Sequence, residues 1–384
     1  MTDFDRIIER RGTNSIKWRR YGDDVLPLWV ADMDFTSPEP ILRALHERID
    51  HGVFGYGSPP QELTETIVAR LQERYDWQVS PKDVVYFPGV IAAFNLACHA
   101  VAAPGEGVLF QTPVYYPILQ APELTGRTAE QMELTRREDG SYEIDFERFE
   151  ESISARTRLF ILCNPHNPVG RVYRRDELER VADICLRHDV TICSDEIHCD
   201  LVYAGHRHTP IASLSPEIAQ RTITLMAPSK TFNIAGLQCS FAIIQNAELR
   251  KTMLHIHSGL VHGLNVLGYV AALAGYCEGQ PWLDAVLHYL QANRDFLADY
   301  VAANLPGVTM RRPEGTYLAW LDCRGAGIPG NPHEFFLQQA HVALNDGATF
   351  GRGGESFVRL NFGCPRATLQ EGLDKMRAAL LTLA

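Results

Sequence analysis

The chain has little of what marks a nucleic-acid or membrane protein. No run of lysine and arginine exceeds two residues, and 47 acidic side chains outnumber 36 basic ones, for a formal charge of −11. A nucleic-acid binder carries a basic stripe, so that class is excluded. The longest stretch without Asp, Glu, Lys or Arg that invites a membrane reading, Thr252 to Cys277, is broken by His255, His257, His262, Asn265 and four glycines. That pattern predicts a buried helix of a soluble core rather than a membrane span. The first residues, Met1-Thr-Asp-Phe-Asp-Arg, are charged from the third and have no apolar segment, so they are not expected to act as a signal peptide, and a cytoplasmic location is expected. The nine cysteines are an odd number scattered through apolar stretches, with no C-x-x-C spacing even where Cys185, Cys193 and Cys199 lie near His188 and His198. Reduced, buried thiols are expected, and neither a disulfide framework nor a metal.

What the chain does have is ordinary globular composition, 46% apolar and 22% charged over 384 residues. That length predicts two associated domains. Short β-branched or aromatic runs alternate with stretches of helical period, the mark of a parallel sheet with crossover helices. Expected strands are Gly107–Gln111, Arg158–Leu162, Val190–Cys193, Thr222–Leu225 and Ser240–Ile244. Between them, Asp176 to His188 places Leu178, Val181, Ala182, Cys185 and Leu186 at helical spacing. After a long helix from about Pro281 to Asn304 the texture turns to hairpin-like segments, Thr316–Leu321 and Phe357–Asn361, and a last helix from Arg366. The expected division is a large α/β domain over residues 48–280 and a smaller α+β domain from residues 1–47 and 281–384.

In an open parallel sheet, ligands gather at the carboxyl ends of the strands. Three of those ends run into Asn164-Pro-His-Asn-Pro-Val-Gly170, Ser194-Asp-Glu-Ile-His198 and Ala227-Pro-Ser-Lys230. Upstream, Pro88-Gly-Val-Ile91 opens an apolar helix whose free amides suit a phosphate, and Tyr115 follows another strand. A phosphate seat, an aromatic platform, a carboxylate and a lysine are what pyridoxal 5′-phosphate requires. The lysine holds its aldehyde as a Schiff base and the carboxylate keeps its ring nitrogen protonated. Taken singly, each feature has a plainer reading: a surface lysine, a helix-capping aspartate, a turn. Their order carries the signal, with Asp195 thirty-five residues before Lys230.

The sequence resembles the fold-type I pyridoxal-phosphate enzymes, the aspartate-aminotransferase superfamily, and within it the MalY/PatB-type C–S lyases of the cystathionine β-lyase group. The resemblance rests on Leu28-Trp-Val-Ala-Asp-Met-Asp-Phe35, Phe54-Gly-Tyr-Gly57, Asn164–Gly170, Ser194–His198, Ser229-Lys-Thr-Phe-Asn-Ile-Ala-Gly-Leu237 and Phe357-Val-Arg-Leu-Asn-Phe362. It implies a large domain with a mostly parallel seven-stranded sheet and a smaller α+β domain. By the same resemblance, Lys230 carries the cofactor and shuttles the Cα proton, and Asp195 pairs with the ring nitrogen. Tyr115 stacks on the ring, with Tyr116 the competing stacker. Asn167 and His198 contact the phenolic oxygen, His198 standing where aminotransferases usually have tyrosine; an interior histidine is its plainer reading. Gly89, Val90, Ile91 and Ser229 hold the phosphate, helped by Tyr56 from a neighbouring subunit, so that a homodimer with shared sites is implied. Arg359, otherwise a sheet-edge ion-pair residue, forks the substrate carboxylate beside Asn167. Gln238 and Ala227 depart from the superfamily, standing where an arginine and a serine commonly bind phosphate.

The implied reaction is β-elimination from cystathionine or a related L-cysteine S-conjugate, giving a thiol, pyruvate and ammonia. An aminotransferase is the alternative, because it needs the same lysine and carboxylate. A non-enzymatic role fits poorly, since a degenerate site has no need of both Lys230 and Asp195. Trp29 is read as packing, and His206-Arg-His208 as a solvated loop.

Overall fold

The computed structural model describes residues 2–261 and 263–383. Its centre is a seven-stranded sheet. In chain order the strands are β1 (Val84–Phe87), β2 (Gly107–Thr112), β3 (Thr128–Glu133), β4 (Thr157–Cys163), β5 (Thr191–Asp195), β6 (Thr222–Met226) and β7 (Ser240–Ile243). Across the sheet they lie β1-β7-β6-β5-β4-β2-β3. All neighbours run parallel except β7, which is antiparallel to both β1 and β6. A parallel return needs a crossover of a dozen or more residues, usually a helix. Here the link from β6 to β7 holds only the single helical turn Pro228–Thr231 and the turn Ala235–Leu237, with no crossover helix, and the strand comes back reversed.

Strands β2, β5 and β6 are buried along their whole length, their threonines, Gln111, Ser194 and Asp195 included. Alternate residues of β4 serve opposite faces. Leu159, Ile161 and Cys163 pack with Phe94 and Ala97 of the helix Val90–Val101. Phe160 and Leu162 pack with Leu178, Val181 and Cys185 of Arg175–Arg187. The helical period expected for that segment is the face it buries.

A second sheet of four antiparallel strands comprises β8 (Thr309–Met310), β9 (Leu318–Asp322), β10 (Asn345–Asp346) and β11 (Phe357–Asn361), in the order β8-β9-β11-β10. Residues 316–321 and 357–361 were expected as hairpin-like segments, but they do not form a hairpin. Strands β9 and β11 pair antiparallel with the helix Pro332–Gln339 and strand β10 between them in the chain. One face of this sheet gives Ala319, Leu321, Val358 and Leu360 to a core shared with Leu283, Leu290 and Leu297 of Gln280–Asn304 and Leu369, Leu373 and Met376 of Arg366–Leu380. The N-terminal residues Phe4, Leu28, Met33 and Phe35 join the same core, and Leu26–Pro27 pairs parallel with Val342–Ala343. The other face turns Trp320 and Phe357, stacked at 5.0 Å, towards the large sheet's helical layer.

Two expectations are corrected here. The uncharged stretch 252–277 is not one buried helix but two. Ala247–Leu260 has Met253 as its buried residue, and Val266–Glu278 is started by Asn265, whose side chain accepts from Leu267 N. His262 lies outside the described residues. The triplet His206-Arg-His208 is not wholly solvated. His206 is exposed, but His208 is buried and its Nε2 lies 2.7 Å from Oε2 of the fully buried Glu196. A buried carboxylate needs such a partner, and sequence gives no sign of a contact across twelve residues of loop. The nine cysteines are all free, and Cys277 is the exposed one.

Candidate active site

A cavity of about 190 Å³ opens at the carboxyl ends of β4, β5 and β6. Gly89, Val90, Ile91, Tyr115, Asn167, Asp195, His198, Ser229 and Lys230 all line it, and so do Gln238 and Ala227. Tyr56 does not. It is fully exposed on its own chain. Arg359 stands one layer behind the wall, buried, with Nη1 donating to Asn167 Oδ1 at 2.9 Å.

Local structure explains each placement. Gly89 is the N-cap of Val90–Val101, so the amides of the first turn have no intrahelical acceptor and point into the site. Asp195 is the last residue of β5, and its backbone oxygen accepts from Asn164 N across the strand ends. Lys230 sits in the one-turn helix Pro228–Thr231, started by Ala227. The segment Asn164–Gly170 ends on a glycine at φ +76°, where an added Cβ would lie 2.4 Å from that of Pro313. Only glycine fits there, and its carbonyl accepts from Glu314 N and Gly315 N. Tyr115 precedes the helix Tyr116–Leu124 and lines the cavity, whereas Tyr116 is exposed beside it, the rings 5.0 Å apart.

The electrostatics of the pocket are those of groups held away from water. Burial pushes the Asp195 carboxyl up to about 7, although Ile197 N donates to it and Lys230 is near. Burial also pulls Lys230 down to about 8 and His198 to about 3, with the charges of Lys230 and Arg359 acting in the same direction. Arg359 is lowered to about 10 by burial, against the partial support of Tyr115, Tyr116 and Tyr317. Buried donors and acceptors are normally paired. His198 Nδ1 in the pocket wall and Arg359 Nε behind it are buried without a protein partner. These orphaned donors, with a carboxylate raised by burial and an amine of depressed basicity, fit a ligand that carries acceptors and a cationic ring nitrogen.

Several site residues carried no readable signal. Backbone carbonyls of the segment 29–32 supply acceptors: Trp29 O for Arg359 Nη2 at 3.2 Å, Ala31 O for Lys230 Nζ and Tyr317 Oη, and Asp32 O for Asn361 Nδ2 at 2.7 Å. Carbonyls are invisible to any reading of side chains. Asn345 Oδ1 accepts from Arg359 at 2.6 Å because β10 pairs Asn345 with Arg359 in register. The Trp29 ring packs against Tyr21 and its Nε1 donates to Lys17 O. Its side chain is therefore packing, as expected, while its carbonyl is part of the site.

The model of the aminotransferase class I and II family matches residues 23–376, and the chain belongs to that family. Among curated relatives, cystathionine beta-lyase PatB of Bacillus subtilis (strain 168) is 44% identical over 386 residues, covering 98% of this chain and all of the relative. Cystalysin from Treponema denticola, whose crystal structure contains pyridoxal 5′-phosphate, is 35% identical and superposes with a TM-score of 0.96 over 100% of both chains. A PLP-bound putative aminotransferase from Clostridium difficile 630 is 38% identical, with a TM-score of 0.96 over 99% of this chain and 100% of its own.

Proposed function

We propose that the chain is a pyridoxal-phosphate-dependent C–S β-lyase, cleaving cystathionine or a related L-cysteine S-conjugate to a thiol, pyruvate and ammonia. The observation that carries the reading is the buried pair across one cavity, Asp195 raised to about 7 and Lys230 lowered to about 8. Each wants what the cofactor offers, a ring cation for the carboxylate and an aldehyde for the amine. PatB is named a cystathionine beta-lyase and matches over its full length, which favours the lyase over the aminotransferase.

In this reading Lys230 Nζ holds the aldehyde carbon and Asp195 the ring nitrogen. The free amides after Gly89, through Val90 and Ile91, hold the phosphate together with Ser229. Tyr115 covers a ring face. The Asn167 oxygen is committed to Arg359, so its NH₂ is left to donate, with His198, to the phenolic oxygen. When bound, the cofactor supplies an electron sink for charge developing at the substrate Cα. The protein's own residues do the rest. Arg359, rigid between Asn167, Asn345 and Trp29 O, presents its unpaired Nε to the substrate carboxylate. Lys230 Nζ takes the Cα proton, and the ammonium so formed has Ala31 O as its acceptor. Tyr56, exposed on its own chain, serves the phosphate of a second copy, which makes the active unit a homodimer. The site lies between a large domain of residues 48–280 and a small one of residues 1–47 and 281–384.

The test is incubation of the purified holoenzyme with L-cystathionine, measuring pyruvate, ammonia and free thiol with and without an added keto acid. Many turnovers with equal thiol and pyruvate are expected from the substrate alone. Strict dependence on the keto acid across several thioethers would move the assignment to an aminotransferase.

A further inference from the structure

The Ala31 carbonyl oxygen takes hydrogen bonds from two side chains that lie far from it in the sequence. Lys230 Nζ donates to it, and so does Tyr317 Oη at 2.8 Å. A carbonyl has two lone pairs, so both donors can be seated, but each weakens the acceptor for the other. Tyr317 has no freedom to leave. It is 1% exposed and packed edge-on to His198 at 6.2 Å.

The residue before it is fixed in turn. Thr316 lies at φ +68°, a left-handed conformation that a β-branched side chain seldom adopts. It is held there by three contacts: its N–H donates to Leu201 O at 2.7 Å, its carbonyl accepts from Tyr203 Oη, and its hydroxyl accepts from Leu318 N at 3.2 Å. A backbone kept in so unfavourable a conformation by its surroundings marks a position that is over-determined. What this one determines is the direction of Tyr317.

We propose that Tyr317 is a positioning residue, which by sharing the Ala31 carbonyl with Lys230 sets how readily that lysine gives up its proton. An ammonium donates more strongly than a neutral amine. A competing hydroxyl on the same oxygen therefore takes more from the charged form of Lys230 than from the neutral one. The neutral amine is the form that captures an aldehyde and that accepts a proton from carbon. Other charges also bear on Lys230: Asp32 in the segment 29–32, Asp195 at the end of β5 and Arg359 in β11, with His198 facing it in turn. Tyr317 itself faces Asp32, Arg359, Tyr203 and Tyr115. Replacing its hydroxyl leaves all of these in place, so Tyr317→Phe isolates the shared bond. The ring's volume is kept, and the Ala31 oxygen retains Lys230 as its donor, so neither a cavity nor an orphaned group is created.

The inference rests on Lys230 being the amine that holds the cofactor, and the experiment separates the two claims. Cofactor-stripped protein is mixed with pyridoxal 5′-phosphate between pH 6 and 10, and the rate of capture is followed by absorbance. For the native chain the rate should rise to a plateau with an inflection near the Lys230 value of about 8. In Tyr317→Phe the inflection should move upward, slowing capture at pH 7 by about fivefold, the worth of one ordinary hydrogen bond. The plateau at pH 10 should be unchanged. A rate lowered equally at every pH in Tyr317→Phe, or an inflection that does not move, overturns the proposal. Failure of the native protein to capture the cofactor on Lys230 would instead overturn the reading it rests on.

Discussion

Replacing Asp195 by asparagine should stabilise the cofactor-free protein while destroying its function. The carboxyl is buried and raised to about 7 from an ordinary 3.8. Keeping it ionised in the empty pocket therefore costs the folded state roughly 4 kcal/mol. The sign follows from proton linkage: a carboxyl whose value is higher when folded holds its proton longer in the native state. Its penalty is absent below about pH 4, grows as pH rises, and is complete above about pH 7. Asparagine keeps the shape and carries no such penalty. A chain of 384 residues has an unfolding entropy of about 2 cal/mol/K per residue, so about 4 kcal/mol corresponds to about 5 °C in melting temperature. The assay is thermal denaturation of stripped and reloaded protein at pH 5 and pH 8. Stripped Asp195→Asn should melt above the native chain by about 5 °C at pH 8 and by distinctly less at pH 5. With cofactor present the order should reverse, because a cation at the ring nitrogen relieves the native carboxylate and finds no charge in the variant. A stripped variant with the same advantage at both pH values, or none at pH 8, would refute the argument that the empty pocket strains this carboxylate.

Two further predictions concern binding and assembly. Arg359→Ala should raise KM for an amino-acid substrate by at least about thirtyfold, the loss of a buried charge-assisted contact being worth roughly 2 kcal/mol or more. The cofactor's absorbance should be unaltered, and steady-state kinetics with spectra of the same samples check both. Inactive Lys230→Ala mixed with inactive Tyr56→Phe should recover partial activity after subunit exchange, since a mixed dimer contains one intact site. No recovery after demonstrated exchange would place Tyr56 in the service of its own chain.

Most of the large sheet was legible because its strands are buried on both faces. Strand β6 spans Thr222–Met226 where Thr222–Leu225 is expected, and the other expected runs lie within two residues of their strands. Direction was not legible in the runs themselves. The reversal of β7 goes with a link that carries Lys230 but no crossover helix, a matter of what lies between the strands rather than of strand composition. The side chains lining the cavity were readable because an amide, a carboxylate and a lysine at strand ends have few other uses in combination. The carbonyls of Trp29, Ala31 and Asp32 were not, since any residue has one. Tyr317 falls in the hairpin-like segment Thr316–Leu321, and nothing local shows that its hydroxyl reaches residue 31 across 286 positions. The buried Glu196–His208 contact escaped for a similar reason, a charged-looking loop folding one of its histidines inward.

The contacts that brace Arg359 have a bearing on how the protein is made. Trp29 O and Arg359 Nη2 are 330 residues apart, and Val30 O and Asn361 Nδ2 are 331 apart. Contacts of such separation close late, because the intervening chain must be ordered first. On the ribosome, Lys230, Asp195 and the amides after Gly89 all emerge before residue 240, while Arg359 is made well after them. In the reading proposed above, the residues that hold the cofactor are thus synthesised before the one that grips an amino acid. Residues 366–380 then bring the helix that packs beneath β11. Cofactor seat and substrate grip belong to different stages of synthesis, and a chain interrupted between them lacks the second.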